Sequence, residues 1–344
     1  MRNLLLISFT YLQIILLIPA SSKSQQLIRT EVNEKSNCPC LQSKIRFDDS
    51  SLEKIVLHPE EVLANPDSFW ANDSSYQLVK LWHQRISFPI PMDQWKGWVQ
   101  SFKNIPVEER KNNTQLIAAK IMMDREKEFN DKAVPFICSF LPKNCPNIST
   151  TIYFTTAIMS SGFQMGNNIV IYGTNADKDN LLIHELFHQG FNRCKPTYNK
   201  YNSKDSTVNQ IFNDLQNEGM ATYVGYKALN EFPKFDPDPK RDDYKFFNDL
   251  KTRYRLIERL NDILKKVPLL VNSKVGQKEL QDSIWQAGTM DRTFYVVGCY
   301  MAMIIDEKLG RDVLIETILK GPKLFLQTYN SLAEEKYMIF DLYK

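Results

Sequence analysis

Histidine is scarce in this chain, four in 344 residues, too few for a protein that stores metal on many imidazoles. Clusters of Lys and Arg interleaved with aromatics are missing, and the formal net charge is only +3. A nucleic-acid surface needs a concentrated basic stripe, so none is expected. No internal repeat and no low-complexity tract occurs. Beyond the first two dozen residues no apolar run approaches the ~20 residues of a membrane helix. What remains, 43% hydrophobic and 24% charged, is the composition of a folded globular protein with a large core. The length suits two domains or one with subdomains.

The chain opens differently. Arg2 precedes the apolar run Leu4 to Pro19, and the small residues Ala20, Ser21 and Ser22 follow. This is the tripartite pattern of a secretory signal peptide over residues 1–24, with cleavage expected near Ser22 or Ser24. An uncleaved anchor is the alternative, but Ser8, Thr10 and Gln13 interrupt a run already short for a span. A secreted or periplasmic location is expected, with no membrane span left after cleavage. No cysteine follows closely enough for lipid attachment.

Export makes the six cysteines readable as disulfides. Cys138 and Cys145 close a short loop and are expected to form a local bridge. Cys38 and Cys40 flank one proline and would not pair with each other; they could reach Cys194 and Cys299. Cys299 lies in an apolar helical run and suits a buried thiol equally well. Asn72, Asn112 and Asn147 begin triplets of the glycosylation type, which matter only in a eukaryotic source.

Residues 25–148 read as a helical amino-terminal region, with a long helix from Thr114 to about Lys132 stopped by Pro135. Residues 149–344 read as a second region. It begins with β-like runs at Thr151–Thr156 and Ile169–Tyr172, separated by a loop around Ser160 to Asn168. Asp177 to Asn180 would cap a helix that starts near Leu181. A second helix is expected from Thr207 to about Leu229, a surface loop at 231–243, and a helix from Arg292 to Leu309 ending at Gly310. The fold class is α+β, mostly helical.

Residues 181–190 read Leu-Leu-Ile-His-Glu-Leu-Phe-His-Gln-Gly. Half of the chain's histidines fall in five residues, spaced His-Glu-x-x-His. Four residues apart on a helix is one face, so His184 and His188 can grip one ion while Glu185 projects beside it to act as general base. A buried helix with two hydrogen-bonded histidines is the plain alternative. Catalytic zinc takes three protein ligands. His58 and His83 lie far upstream and read as ordinary residues. Glu218 falls inside an apolar stripe of the second helix, made of Ile211, Leu215, Thr222, Gly225 and Leu229. A carboxylate facing the core is costly unless paired or bound to a cation; a salt bridge is the other way to meet that cost.

His184, Glu185, His188 and Glu218 resemble the gluzincin metallopeptidases, in which a glutamate on the next helix completes the site. Tyr295 to Gly310 and Gly321 to Phe325 are similar to the carboxy-terminal part of a zinc-peptidase family catalogued as a domain of unknown function. The resemblance extends from about Lys44 to Tyr329 and is weaker in the amino-terminal third. It implies a zincin-like fold with a small sheet above the motif helix, Zn2+ as cofactor, and a peptide or protein as substrate. Tyr295 and Tyr223 are candidate donors to the tetrahedral intermediate, each with an alternative as a packed aromatic. Ile169 to Tyr172 is either a sheet edge for an extended peptide or an internal strand. The aspartate that orients the first histidine in thermolysin-like enzymes has no counterpart after Glu218. A different class of function on the same fold is a secreted binding or host-interaction protein with structural or vestigial zinc. The oligomeric state is not legible.

Overall fold

The computed structural model describes residues 39–85, 90–158, 161–175, 179–195, 203–232 and 242–343. The expected signal peptide, Cys38 and most of the 231–243 loop lie outside them. The fold is α+β and mostly helical, around one four-stranded mixed sheet in the order β1 (Ile45–Asp48), β2 (Thr150–Thr155), β4 (Asn168–Tyr172), β3 (Gly162–Met165). β1 and β4 flank β2 in parallel, with Ile45 opposite Thr150 and Ile152 opposite Ile169, and β3 runs antiparallel to β4.

Two strands depart from the expectation. β1 interrupts the amino-terminal region read as helical. Its four residues alternate buried and outward positions, a pattern too short to stand out until β2 supplies a partner. β3 occupies the segment read as a loop, where Gly166, at φ +58°, turns the chain back into β4. That pairing makes β4 an internal strand, so Ile169–Tyr172 is no edge.

The outer edge of β1 is closed by side chains. Asn130 accepts from the Ile45 N–H and donates to the Ile45 carbonyl, and Glu126 accepts from the Phe47 N–H. An unpaired row of backbone groups is thereby capped, which suppresses further strand addition. Phe47 stacks on Phe154 and meets Phe129 edge-on, tying this edge to the core.

The helix expected from Thr114 to Lys132 is two helices, α1 (Thr114–Asp124) and α2 (Glu126–Cys138). The break falls at Arg125, with φ −94° and ψ 4°, whose guanidinium forms a two-pronged ion pair with Asp179 at 2.8 and 3.1 Å. A long-range partner overrides the local propensity there. Pro135 does not stop α2: it sits in the last turn and the helix runs on to Cys138.

The cysteine pairing also differs from expectation. Cys138 bonds Cys40 and Cys145 bonds Cys194, across sequence separations of 98 and 49. Loops of that length stabilise by about 5 and about 4 kcal/mol in the chain-entropy picture, more than a local bridge would. Cys299 is fully buried. The three asparagines of the glycosylation triplets are all exposed.

Three helices carry the lower half: α3 (Asp179–Cys194), α4 (Ser203–Glu231) and α5 (Thr293–Leu309), α5 beginning one residue after the expected start. α4 touches α5 where glycine meets glycine. A β-carbon on Gly219 would lie 2.3 Å from the Gly298 backbone, and one on Gly298 would lie 2.3 Å from the Leu215 carbonyl oxygen. Gly219→Ala should therefore push the two helices apart and lower stability by about 2 kcal/mol, although alanine is the better helix former. Urea denaturation measures this, and an unchanged midpoint would mean the crossing is looser than described.

Candidate metal centre

Helix α3 is buried from Asp179 to Phe191 without a break. Its amino end is held by the Arg125–Asp179 pair, with the Asp179 side chain 1% exposed, and an aspartate there also suits the positive end of the helix dipole. Its carboxy end is stapled by Cys194 to Cys145. Gln189 donates to Thr150 of β2 at 3.2 Å, and Gly190 leaves room for Leu141. The histidines of the motif thus ride on a helix fixed at both ends.

Helix α4 crosses it closely, since a β-carbon on Gly225 would lie 3.1 Å from the Asn180 carbonyl oxygen and 3.9 Å from the His184 Cβ. Gly225 faces α3, whereas Gly219 faces α5. Directly before Gly219, Glu218 turns toward the motif. Its Oε2 lies 3.4 Å from Nε2 of His184 and 3.4 Å from Nε2 of His188, and the two Nε2 atoms are 3.0 Å apart. Ligand atoms about 2.0–2.1 Å from a tetrahedral ion are separated by about 3.3 Å. The triangle has that size. Glu218 Oε2 is buried with the two imidazole nitrogens at 3.4 Å and no closer donor, a condition that a cation relieves. Among the described residues, His184, His188 and Glu218 are the one group of His, Cys, Asp and Glu side chains converging in this way.

The charges respond accordingly. Burial pulls the His188 pKa down, but the Glu218 carboxylate, its hydrogen bond and the Glu185 charge outweigh that and push it up to about 9. Burial raises Glu218, yet His188 and His184 hold it well below the usual carboxylate range. Both shifts favour opposite charges on His188 and Glu218, and a divalent cation bound there would take the place of the proton.

Asn217 was not singled out by the sequence. Its Oδ1 sits 2.9 Å from His188 Nδ1, so it accepts from the Nδ1–H and leaves Nε2 for a metal. The signal was its place directly before Glu218: adjacent residues of one helix grip the two nitrogens of a single ring. This contact serves the second histidine, whereas Tyr295 stacks on the first, with ring planes 12° apart and centroids at 5.9 Å. Asp214, one turn before Glu218, is also near; burial foremost, with the Glu218 charge, raises it to about 6 against the pull of Asn213, Lys195 and Arg85.

Glu185 follows His184 and is 7% exposed; its charge acts on His188. Tyr223 lies elsewhere. Its hydroxyl donates to Asp306 at 2.7 Å, Arg311 clasps the same carboxylate, and Phe140 packs against its ring. His58 is exposed beside Glu61, and His83 is buried against Trp82; neither joins the cluster.

A family described as "Putative zinc dependent peptidase (DUF5700)" matches residues 60–337. The chain belongs to this family. No curated protein and no solved structure matches it. Membership and the ligand triangle agree on the kind of ion the site would hold: two imidazoles and one carboxylate form a zinc donor set. Asn217→Ala should weaken metal affinity by about 10–100-fold, read by competition with a coloured chelator. Unchanged affinity would mean that something other than Asn217 orients His188.

Proposed function

We propose that the protein is an exported zinc peptidase whose ion is held by His184, His188 and Glu218 and whose general base is Glu185. The observation that carries this reading is the ligand triangle itself: three donor atoms from two buried helices at tetrahedral spacing, with a glutamate next to the first histidine. A purely structural site needs no such glutamate. Export is supported by the two disulfides.

A zinc ion held by His184, His188 and Glu218 would supply Lewis acidity that lowers a water molecule's pKa to about 7 and polarises a peptide carbonyl. Glu185 then takes the proton from the attacking water and delivers it to the departing amine. Tyr295, whose ring stacks on His184, is the candidate donor to the oxygen that gains charge. The Tyr223 hydroxyl, committed to Asp306, serves the packing of α4 instead. An extended substrate would lie along β3, the edge opposite the sealed β1 strand, since β3 packs against the motif helix.

Glu185→Gln should keep about one zinc per chain, as the donor set requires, while peptide hydrolysis falls by at least about a thousandfold. Metal analysis beside a peptide-library digest reads both, and full activity would remove Glu185 from the mechanism. A wild-type chain that holds zinc yet cleaves no peptide would instead identify a binding protein on this fold. Glu218→Ala should lower zinc content on dialysis against a weak chelator, and an unchanged stoichiometry would place the third ligand elsewhere.

A further inference from the structure

The helices Leu250–Leu270 and Lys274–Ile284 pack against each other and are joined by the short turn 271–273. Each buries one stripe, with Leu260, Leu264 and Val267 on the first and Gly276 and Leu280 on the second. Leu269 and Val275 lie off these stripes, on either side of the turn. They are 78% and 80% exposed, the highest values for large apolar side chains among the described residues. A single exposed aliphatic is ordinary on a protein surface; two at one turn ask for a reason. The turn is also fixed. Ser273 accepts from the Gly276 N–H at 2.9 Å, Gln277 donates to the Val271 carbonyl at 2.8 Å, and Asn272 donates to the Pro268 carbonyl at 3.2 Å. A surface that meets this turn finds its backbone already ordered, which lowers the entropic cost of contact.

The charge around the turn has one sign. Between Asp262 and Glu279 the chain carries Lys265, Lys266, Lys274 and Lys278 and no acidic residue, although acids and bases nearly balance over the whole sequence, 40 against 43. All four lysines are exposed. Lys265 stands 3.8 Å from Asp262 with both side chains in solvent, a pairing that contributes little. No ion pair engages Lys266, Lys274 or Lys278 among the described residues. This composition says what would cover the patch. Protein interfaces are depleted in lysine, and their binding energy sits in Trp, Tyr and Arg more than in Leu or Val. Lysines around bare aliphatics match an anionic lipid surface instead, where ammonium groups stay among the headgroups while the aliphatic carbons enter the acyl boundary.

We propose that this turn is a membrane-docking tip, with Leu269 and Val275 entering the outer layer of an anionic lipid surface and the four lysines meeting its headgroups. The contact is peripheral, since no helix among the described residues is long and apolar enough to cross a membrane. It goes beyond the peptidase reading and stands or falls without it.

The test is co-sedimentation of the mature chain, without residues 1–24, with vesicles of phosphatidylcholine alone and of phosphatidylcholine mixed equally with phosphatidylglycerol. Wild type should sediment with the mixed vesicles, far less with the neutral ones, and progressively less as salt is raised. Lys266→Gln, Lys274→Gln and Lys278→Gln together should weaken binding about a hundredfold, at about fivefold for each lysine near an anionic surface. Leu269→Ser with Val275→Ser should weaken it about tenfold or more and leave the salt dependence in place. Every substituted side chain is exposed, so both variants should melt where wild type does, which separates docking from folding. Lys80→Gln, Lys103→Gln and Lys111→Gln, combined as a control for net charge alone, should keep most of the binding. Wild type that leaves the mixed vesicles in solution, binding that survives either tip variant, or an equal loss in the control overturns the proposal. Retention on immobilised polyglutamate without vesicle binding also overturns it, and would give the tip an acidic protein as its partner.

Discussion

Two imidazoles and a carboxylate are buried together where α3 and α4 cross, and the lower half of the molecule is arranged to make that possible. Removing such groups from water costs several kcal/mol each unless opposite charges or a cation meet them. Glu218 faces both Nε2 atoms at 3.4 Å, close enough for one ion to satisfy all three. The approach of the helices comes from missing side chains: Gly225 lets α4 down onto His184, and Gly219 with Gly298 lets α5 close in from the other side. Bulk at Gly225 would separate the ligands as well as the helices, and bulk at Gly219 or Gly298 would part α4 from α5.

The rest of the fold keeps the motif helix from moving. The Arg125–Asp179 pair at its start and the Cys145–Cys194 bond at its end act from opposite directions. Arg125 leaves helical geometry to reach its partner, which is why the chain breaks there. Removing one member of a buried pair costs about 3–5 kcal/mol, because the other charge is stranded; the break in a helix costs less. The balance of these two magnitudes explains why long-range pairing prevails over local propensity at that residue.

The sheet is asymmetric in a way that bears on use. Asn130 and Glu126 seal one edge by imitating a neighbouring strand, whereas β3 forms the other edge against the motif helix. From the carboxy-terminal part of the chain, Tyr295 stacks on His184 and Arg292, in a left-handed conformation at φ 63°, stacks on Tyr295. The site is thus bounded by elements from distant parts of the sequence, with its rigid members on helices and its strained member at a helix start.

Much of the site was legible in the sequence because helical periodicity is a local property. His184, Glu185 and His188 are ordered by spacing alone, and Glu218 stood out as a carboxylate in an apolar stripe. The separation of Tyr223 from that face follows from the same geometry, since five residues turn a helix by about 140°. What spacing cannot express is pairing between remote segments. The cysteine partners, the order of the strands, the break at Arg125, the contact from Asn217 and the stack of Arg292 on Tyr295 each depend on two pieces of chain meeting in space. Periodicity therefore determined which residues face inward, and tertiary packing decided what each of them meets there.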